Sequence, residues 1–242
     1  MANFYIDKND ITENSAIITG EEAQHISRVL RMKKGDTVTL CDGEGFFYEA
    51  VLSDFSDKTV VADILSKREA ETEPSVKVTV FQGVPKNPKL ETIIQKLTEI
   101  GAVRLVPVDT KRAVAKLDKE NKVDRLRKIA REAAKQSKRG IVPEVLSPVS
   151  FREAVKMAAE ADLALIPYEE EREMSLKKAL SGKSPKTVSV MIGPEGGFDS
   201  EEIKLAKDNG ITSVTLGKRI LRTETAPLAV CSAILYELGE ME

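Results

Sequence analysis

From residue 76 onward one rhythm governs the chain: a short, almost wholly apolar run, then a longer stretch with helical spacing. The runs are "VKVTVFQGV", "VRLVPVDT", "DLALIPYE", "TVSVMIGPEGG" and "SVTLG". Between and after them come "NPKLETIIQKLTEIGA" stopped by Gly101, "NKVDRLRKIAREAAKQSKRG", "SFREAVKMAAEA", and helical patterns over residues 200–208 and about 225–238. A strand that is apolar on both faces must be covered on both faces, and strands joined by helices run parallel. The rhythm therefore dictates an α/β unit with a mainly parallel sheet between two helical layers. Val123, Leu126, Ala130 and Ala133 mark the buried face of the long helix, and Ser150 with Glu153 has capping-box spacing.

The first seventy residues read differently. "DTVTLCDGEGFFYEAVL" alternates apolar and polar residues on either side of Gly43 and Gly45, which predicts a hairpin, and "KTVVADILSK" predicts a further strand. "TGEEAQHISRVLRMKKGD" carries a helix in which Thr19 and Glu22 have capping-box spacing. A small β-barrel with one helix fits. "REAETEPS", residues 68–75, is charged and ends near a proline, so the expected domains are 1–71 and 72–242.

Composition removes several function classes. His25 is the only histidine, which excludes multi-histidine metal sites, and Cys41 and Cys231 stand too far apart in sequence to suggest a thiolate cluster. No metal is expected. The N-terminus lacks the apolar centre of a secretory signal and no run approaches the ~20 apolar residues of a membrane span. The expectation is a cytoplasmic protein without membrane contact. A formal net charge of −2 argues against indiscriminate coating of nucleic acid and leaves local basic patches open.

In a sheet of this kind ligands bind beyond the carboxyl ends of the strands, where "GPEGGF" (193–198) and "GKRILRTETA" (217–226) fall. Gly193, Gly196 and Gly197 allow close backbone approach to a ligand. Their spacing fits neither the dinucleotide fingerprint nor the phosphate loop, and Glu195 inside the turn repels polyphosphate. A neutral or cationic ligand suits it better. Lys218, Arg219 and Arg222 precede an apolar helix whose capping candidates are Thr223 and Thr225, so cations stand where the helix dipole favours anions.

"MIGPEGGF", "LGKRILRTETAPLA", "HISRVLRMKKGD" and "EAAKQSKR" together resemble the 16S ribosomal RNA uridine-N3 methyltransferase family of the SPOUT superfamily, over essentially the whole chain. The resemblance implies a PUA-like N-terminal barrel and a C-terminal α/β domain with a trefoil knot, a rare exception to the rule against threading. It also implies S-adenosylmethionine as methyl donor, a homodimer, and 16S ribosomal RNA or the small subunit as partner. Carried onto this chain, the donor-binding residues are Ile166, Pro167, Ile192, Gly193, Pro194, Glu195, Gly196, Gly197, Leu216, Gly217, Ile220, Leu221 and Thr223. A sulfonium donor has no polyphosphate, so Glu195 is compatible with it.

Methylation of N3 removes a proton from a weakly acidic imide, and the nitrogen gains negative charge. Arg222 is expected to stabilise that charge and Glu224 to take the proton, the alternatives being that Arg222 contacts RNA phosphate or a partner subunit and that Glu224 favours the helix start. RNA contacts are expected from Arg28, Arg31, Lys33 and Lys34 beside His25, from Lys86, Asn87 and Lys89 at the mouth of the first strand of the second domain near the expected cleft, where an extruded uridine would enter, and from Arg139. Lys122, Arg125, Lys128, Arg131, Lys135 and Lys138 form a further basic stripe. The competing readings are a superfamily methyltransferase acting on another RNA nucleotide and a non-catalytic ribosome-assembly protein; a triphosphate enzyme lacks its loop.

Overall fold

In the computed structural model, which describes residues 3–56, 58–86, 88–117 and 120–241, the chain divides into two compact units. The first comprises Met1–Glu73 and Ala134–Val142, the second Pro74–Ala133 and Pro143–Glu242. The first unit thus ends two residues beyond the expected boundary at 71/72 and includes the returning stretch 134–142. Asn87 lies outside the described residues.

In the first unit the elements are β1 (Asn3–Tyr5), β2 (Ser15–Thr19), α1 (Gly20–Gln24), β3 (Thr37–Cys41), β4 (Phe46–Phe55) and β5 (Thr59–Glu69). The sheet runs β1-β3-β4-β5-β2. The hairpin expected around Gly43 and Gly45 is β3 with β4, and both glycines have positive φ, 71° and 113°. Register breaks between Glu49 and Ala50 and between Leu52 and Asp54 bend the long strands. The sheet thereby curls around Phe4, Ile18, Ile26, Leu40 and Leu52.

The returning stretch is fastened to this sheet by buried polar contacts. Gly45 N–H donates to the Gly140 carbonyl at 3.0 Å, and the Tyr5 hydroxyl donates to the Arg139 carbonyl. Arg139 is 3% exposed, with its guanidinium 2.6 Å from Glu73, whose other oxygen accepts the N–H groups of Gly140 and Ile141 at 2.9 and 3.1 Å. The expected RNA contact of Arg139 is thus corrected: a buried cation must be paired, and this one is. The Thr19–Glu22 capping box is corrected too. Thr19 makes no side-chain cap bond, and Glu22 pairs instead with Lys135 at 2.7 Å.

The second unit follows the strand–helix rhythm: β6 (Lys77–Gly83), α2 (Lys89–Ile100), β7 (Arg104–Asp109), α3 (Glu120–Gln136), β8 (Glu144–Val145), β9 (Val149–Ser150), α4 (Phe151–Ala158), β10 (Leu163–Pro167), α5 (Leu176–Leu180), β11 (Thr187–Ile192), α6 (Ser200–Asp208), β12 (Thr212–Val214) and α7 (Ala226–Glu237). The end of α3 belongs to the returning stretch. The sheet order is β12-β10-β11-β6-β7-β8 with β9 also beside β7, and its pairings are parallel.

Alternation along the strands sends side chains into two layers. Val78, Val80, Val188, Val190 and Leu165 meet α2, α3 and α7 through Ile93, Leu97, Leu126, Val230 and Ile234. Phe81, Met191 and Ile166 face α4 and α6 through Phe151, Val155, Ile203 and Ala206 on the opposite side. Ser150 and Glu153 form the expected capping box at α4, and Gly101, at φ 120°, ends α2.

Candidate functional site

The sheet order sets the site. β6 continues to β7 on one side while β11 lies on its other side, so the connections part between β6 and β11. At such a switch point the loops beyond the carboxyl ends of the strands leave a crevice. Here those loops follow Gly83, Pro167, Ile192 and Val214.

The glycine turn is built by close approach. A Cβ on Gly83 would lie 2.7 Å from Pro194 Cδ, and one on Gly193 would lie 3.1 Å from the backbone of Gly197. Gly197 has φ 66°, and its N–H closes the turn on the Pro194 carbonyl at 3.0 Å. Phe198, 3% exposed, anchors the turn against Phe151, with ring centres 5.6 Å apart. Arg112 grips the outer side: its guanidinium donates to the Gly196 carbonyl at 3.1 Å and lies 3.7 Å from Asp199. Asp199 and Glu202 form the capping box of α6, and Glu202 also accepts the Lys111 N–H at 2.8 Å.

One buried polar knot joins the glycine turn to the arginine bend. The Thr223 hydroxyl donates to the Gly193 carbonyl at 2.7 Å and accepts from Gln82 Nε2 at 3.0 Å, while Gln82 also donates to its neighbour's Gly83 carbonyl at 2.9 Å. Thr223 and Gln82 are 6% and 3% exposed. Neither expected cap forms at α7: Thr225 makes no side-chain cap bond, and Thr223 is spent on this link.

The result is a cleft of about 1000 Å³ in the second unit. Pro167, Ile192 through Gly197, Leu216, Gly217, Ile220, Leu221, Arg222 and Thr223 line it. Ile166 does not: it is fully buried in the layer beneath, because strand alternation turns its side chain toward α4 and α6. The third wall comes from residues not anticipated, Tyr168, Glu169, Glu171 and Arg172. Glu171 shapes that wall by accepting the N–H groups of Glu173 and Met174 at 3.0 and 3.2 Å, and these bonds hold its carboxyl down at about 2.

Charge at the mouth is arranged around Lys89, whose ammonium lies 3.1 Å from Glu195 and 3.1 Å from Glu224. Hydrogen bonding to these two carboxylates raises the Lys89 pKa. Burial opposes ionisation of Glu195, and its own backbone N–H, Lys89 and the Lys86 N–H outweigh it, leaving the pKa lowered. Glu224 is lowered chiefly by its own backbone N–H, then by Lys89. Lys89 was expected as an RNA contact at the mouth of β6 near the cleft, and it lines that cleft. Lys86 is exposed beside it.

In the first unit Arg28, Arg31, Lys33 and Lys34 are exposed, Arg28 within the π-helical turn His25–Val29 and the others just after it. The His25 ring packs edge-on against Phe4 at 5.9 Å. In the long helix, Arg125 pairs with Glu91 at 2.9 Å. Among the described residues no group of three His, Cys, Asp or Glu is placed to hold a metal, and no helix is long and apolar enough to cross a membrane.

Three kinds of likeness to known proteins bear on this cleft. A family model described as the RNA methyltransferase domain matches residues 72–235, and one described as the RNA methyltransferase PUA domain matches residues 18–65. The chain is 41% identical to ribosomal RNA small subunit methyltransferase E of Bacillus subtilis over 229 residues, which cover 91% of this chain and 89% of that protein. The crystal structure of a ribosomal RNA small subunit methyltransferase E from Neisseria gonorrhoeae, bound to S-adenosyl methionine, is 30% identical with a TM-score of 0.86 and 98% of each chain covered. A Legionella pneumophila methyltransferase in complex with the same cofactor is 30% identical, with a TM-score of 0.83 and 97% of each chain covered.

Proposed function

The chain belongs to the family of ribosomal RNA small subunit methyltransferase E proteins, and on that premise we propose that it methylates N3 of a uridine in 16S ribosomal RNA. S-adenosylmethionine is its cofactor, and an RNA of the small subunit its substrate. The observation that carries the assignment of the cleft is the Gln82–Thr223–Gly193 link, which makes one pocket of the two bends.

The residues fit this group by their chemistry. Backbone groups of the Ile192–Gly197 turn and the Leu216–Thr223 bend are available to a nucleoside, the glycines leave room for it, and Glu195 disfavours a polyphosphate in the same place. When bound, the cofactor supplies an electrophilic methyl group. Arg222, exposed at the rim, stabilises the negative charge that grows on the uridine imide. Glu224, kept ionised by its surroundings, receives the proton. Residues 1–71 serve as the RNA-binding PUA-like domain through Arg28, Arg31, Lys33 and Lys34, with Lys86 at the approach to the cleft, and residues 72–242 as the methyltransferase domain.

The trefoil knot belongs to the same proposal. Its support is the path of the last segment: β12 forms beside β10 at the sheet edge, yet α7 is buried with α2 in the layer over β6 and β11. A homodimer is proposed with it, since α7 leaves Tyr236 72% exposed and Ile220 is 87% exposed. The protein is proposed to act in the cytoplasm.

The test is transfer of a labelled methyl group to undermethylated small subunits and to their naked RNA, followed by digestion and nucleoside mapping. Label in 3-methyluridine is expected; label on a ribose hydroxyl or another base removes the acceptor assignment. Arg222→Ala is expected to keep S-adenosylmethionine binding within about threefold and to lower turnover by roughly 10²-fold or more. Undiminished turnover would take Arg222 out of the mechanism.

A further inference from the structure

Lys89 is the first residue of α2, where the helix dipole makes a cation unfavourable. Its ammonium nevertheless stands 3.1 Å from Glu195 of the glycine turn and 3.1 Å from Glu224 at the start of the last helix. Glu195 is also held by the Lys86 N–H at 3.2 Å. Glu224 Oε2 is shielded from solvent and has the Lys89 ammonium as its close partner, with Arg222 acting on Glu224 from the same bend.

The two ligands of such a site want opposite charge at its mouth. The methyl donor carries a sulfonium, an ammonium and one carboxylate, a net positive charge that carboxylates attract. The acceptor carries a phosphate at every nucleotide, which carboxylates repel. A bare pair of glutamates would favour the first and obstruct the second.

We propose that Lys89 is a positioning residue that shares its ammonium between Glu195 and Glu224, keeping both carboxylates at the mouth for the cationic donor while cancelling enough of their charge for a polyanionic acceptor to approach. This rests on the reading of the cleft as the donor site. Lys89 need touch neither ligand to act in this way. Its signature is a pair of effects of opposite sign, which a merely structural lysine or a simple phosphate contact does not produce.

The experiment measures two affinities separately, S-adenosylmethionine by calorimetry and a full-length 16S ribosomal RNA transcript by filter retention, at one low salt concentration. Lys89→Met is expected to tighten donor binding and weaken RNA binding, each by roughly three- to tenfold, the scale of one unit charge at short range in a water-lined cleft. Glu195→Gln is expected to do the reverse. Lys89→Met with Glu195→Gln restores the net charge and both affinities to within about twofold, and Lys89→Arg keeps them. Thermal unfolding of each variant reports that it is folded. Both affinities falling together in Lys89→Met, or RNA affinity falling with the donor unchanged, would overturn the proposal. Failure of the unmodified protein to bind the donor would instead overturn the reading of the cleft.

Discussion

Thr223 shows how much a single hydroxyl can decide. Its position before an apolar helix suggests a cap, but in the fold its side chain ties Gln82 to the Gly193 carbonyl, and the helix begins without it. Gln82 carried a sequence signal, an amide at the buried end of a mostly apolar strand, and a buried amide must find partners. Glu171 plays the corresponding part in the third wall. The N–H groups of Glu173 and then Met174 stabilise its ionised form and lower its pKa from 4.5 to about 2. The folded-state pKa lies below the unfolded one, so its contribution to stability is complete above about pH 5 and is lost as pH falls toward about 2. Urea unfolding of the protein and of Glu171→Gln should therefore differ at neutral pH and converge as the solution is acidified. A difference independent of pH would contradict this account of the wall.

At the scale of elements, the cleft depends on how closely β6 can pass the glycine turn. A methyl group on Gly83 would press on Pro194 at 2.7 and 2.8 Å, against a ring and a backbone nitrogen that cannot turn aside. Gly83→Ala is expected to cost about 1–3 kcal/mol of stability and to weaken S-adenosylmethionine binding, measured by urea unfolding and calorimetry. The strands β6, β7, β10 and β11 and the helix α6 were legible because burial on two faces and helical periodicity leave local marks. The two-residue strands β8 and β9 and the five-residue α5 were not, since such short segments carry no period. Likewise the bends announced themselves by their glycines and arginines, whereas Arg112 and the Tyr168–Arg172 wall enter the site through pairings between distant segments. A motif names a stretch, whereas the pleat decides which side chain faces the cleft, and at Ile166 the side chain faces α4 and α6 instead.

Across the whole molecule, the first unit is completed by a stretch that begins in the last turn of α3, some sixty residues later in sequence. Arg139 holds that stretch through Glu73, the arginine buried and the glutamate largely so, with side chains 4% and 12% exposed. Replacing it by Met leaves a carboxylate without its counter-ion, at an expected cost of about 3–5 kcal/mol. Urea unfolding should show the loss; unchanged stability would return Arg139 to the surface role its charge first suggested. The account as a whole stands on the two bends and the third wall acting as one donor pocket. Hydrogen exchange followed by mass spectrometry, with and without saturating S-adenosylmethionine, tests this most directly. The predicted result is slowed exchange in peptides spanning residues 166–174, 192–198 and 215–224; protection confined to the first unit, or none at saturation, would contradict it.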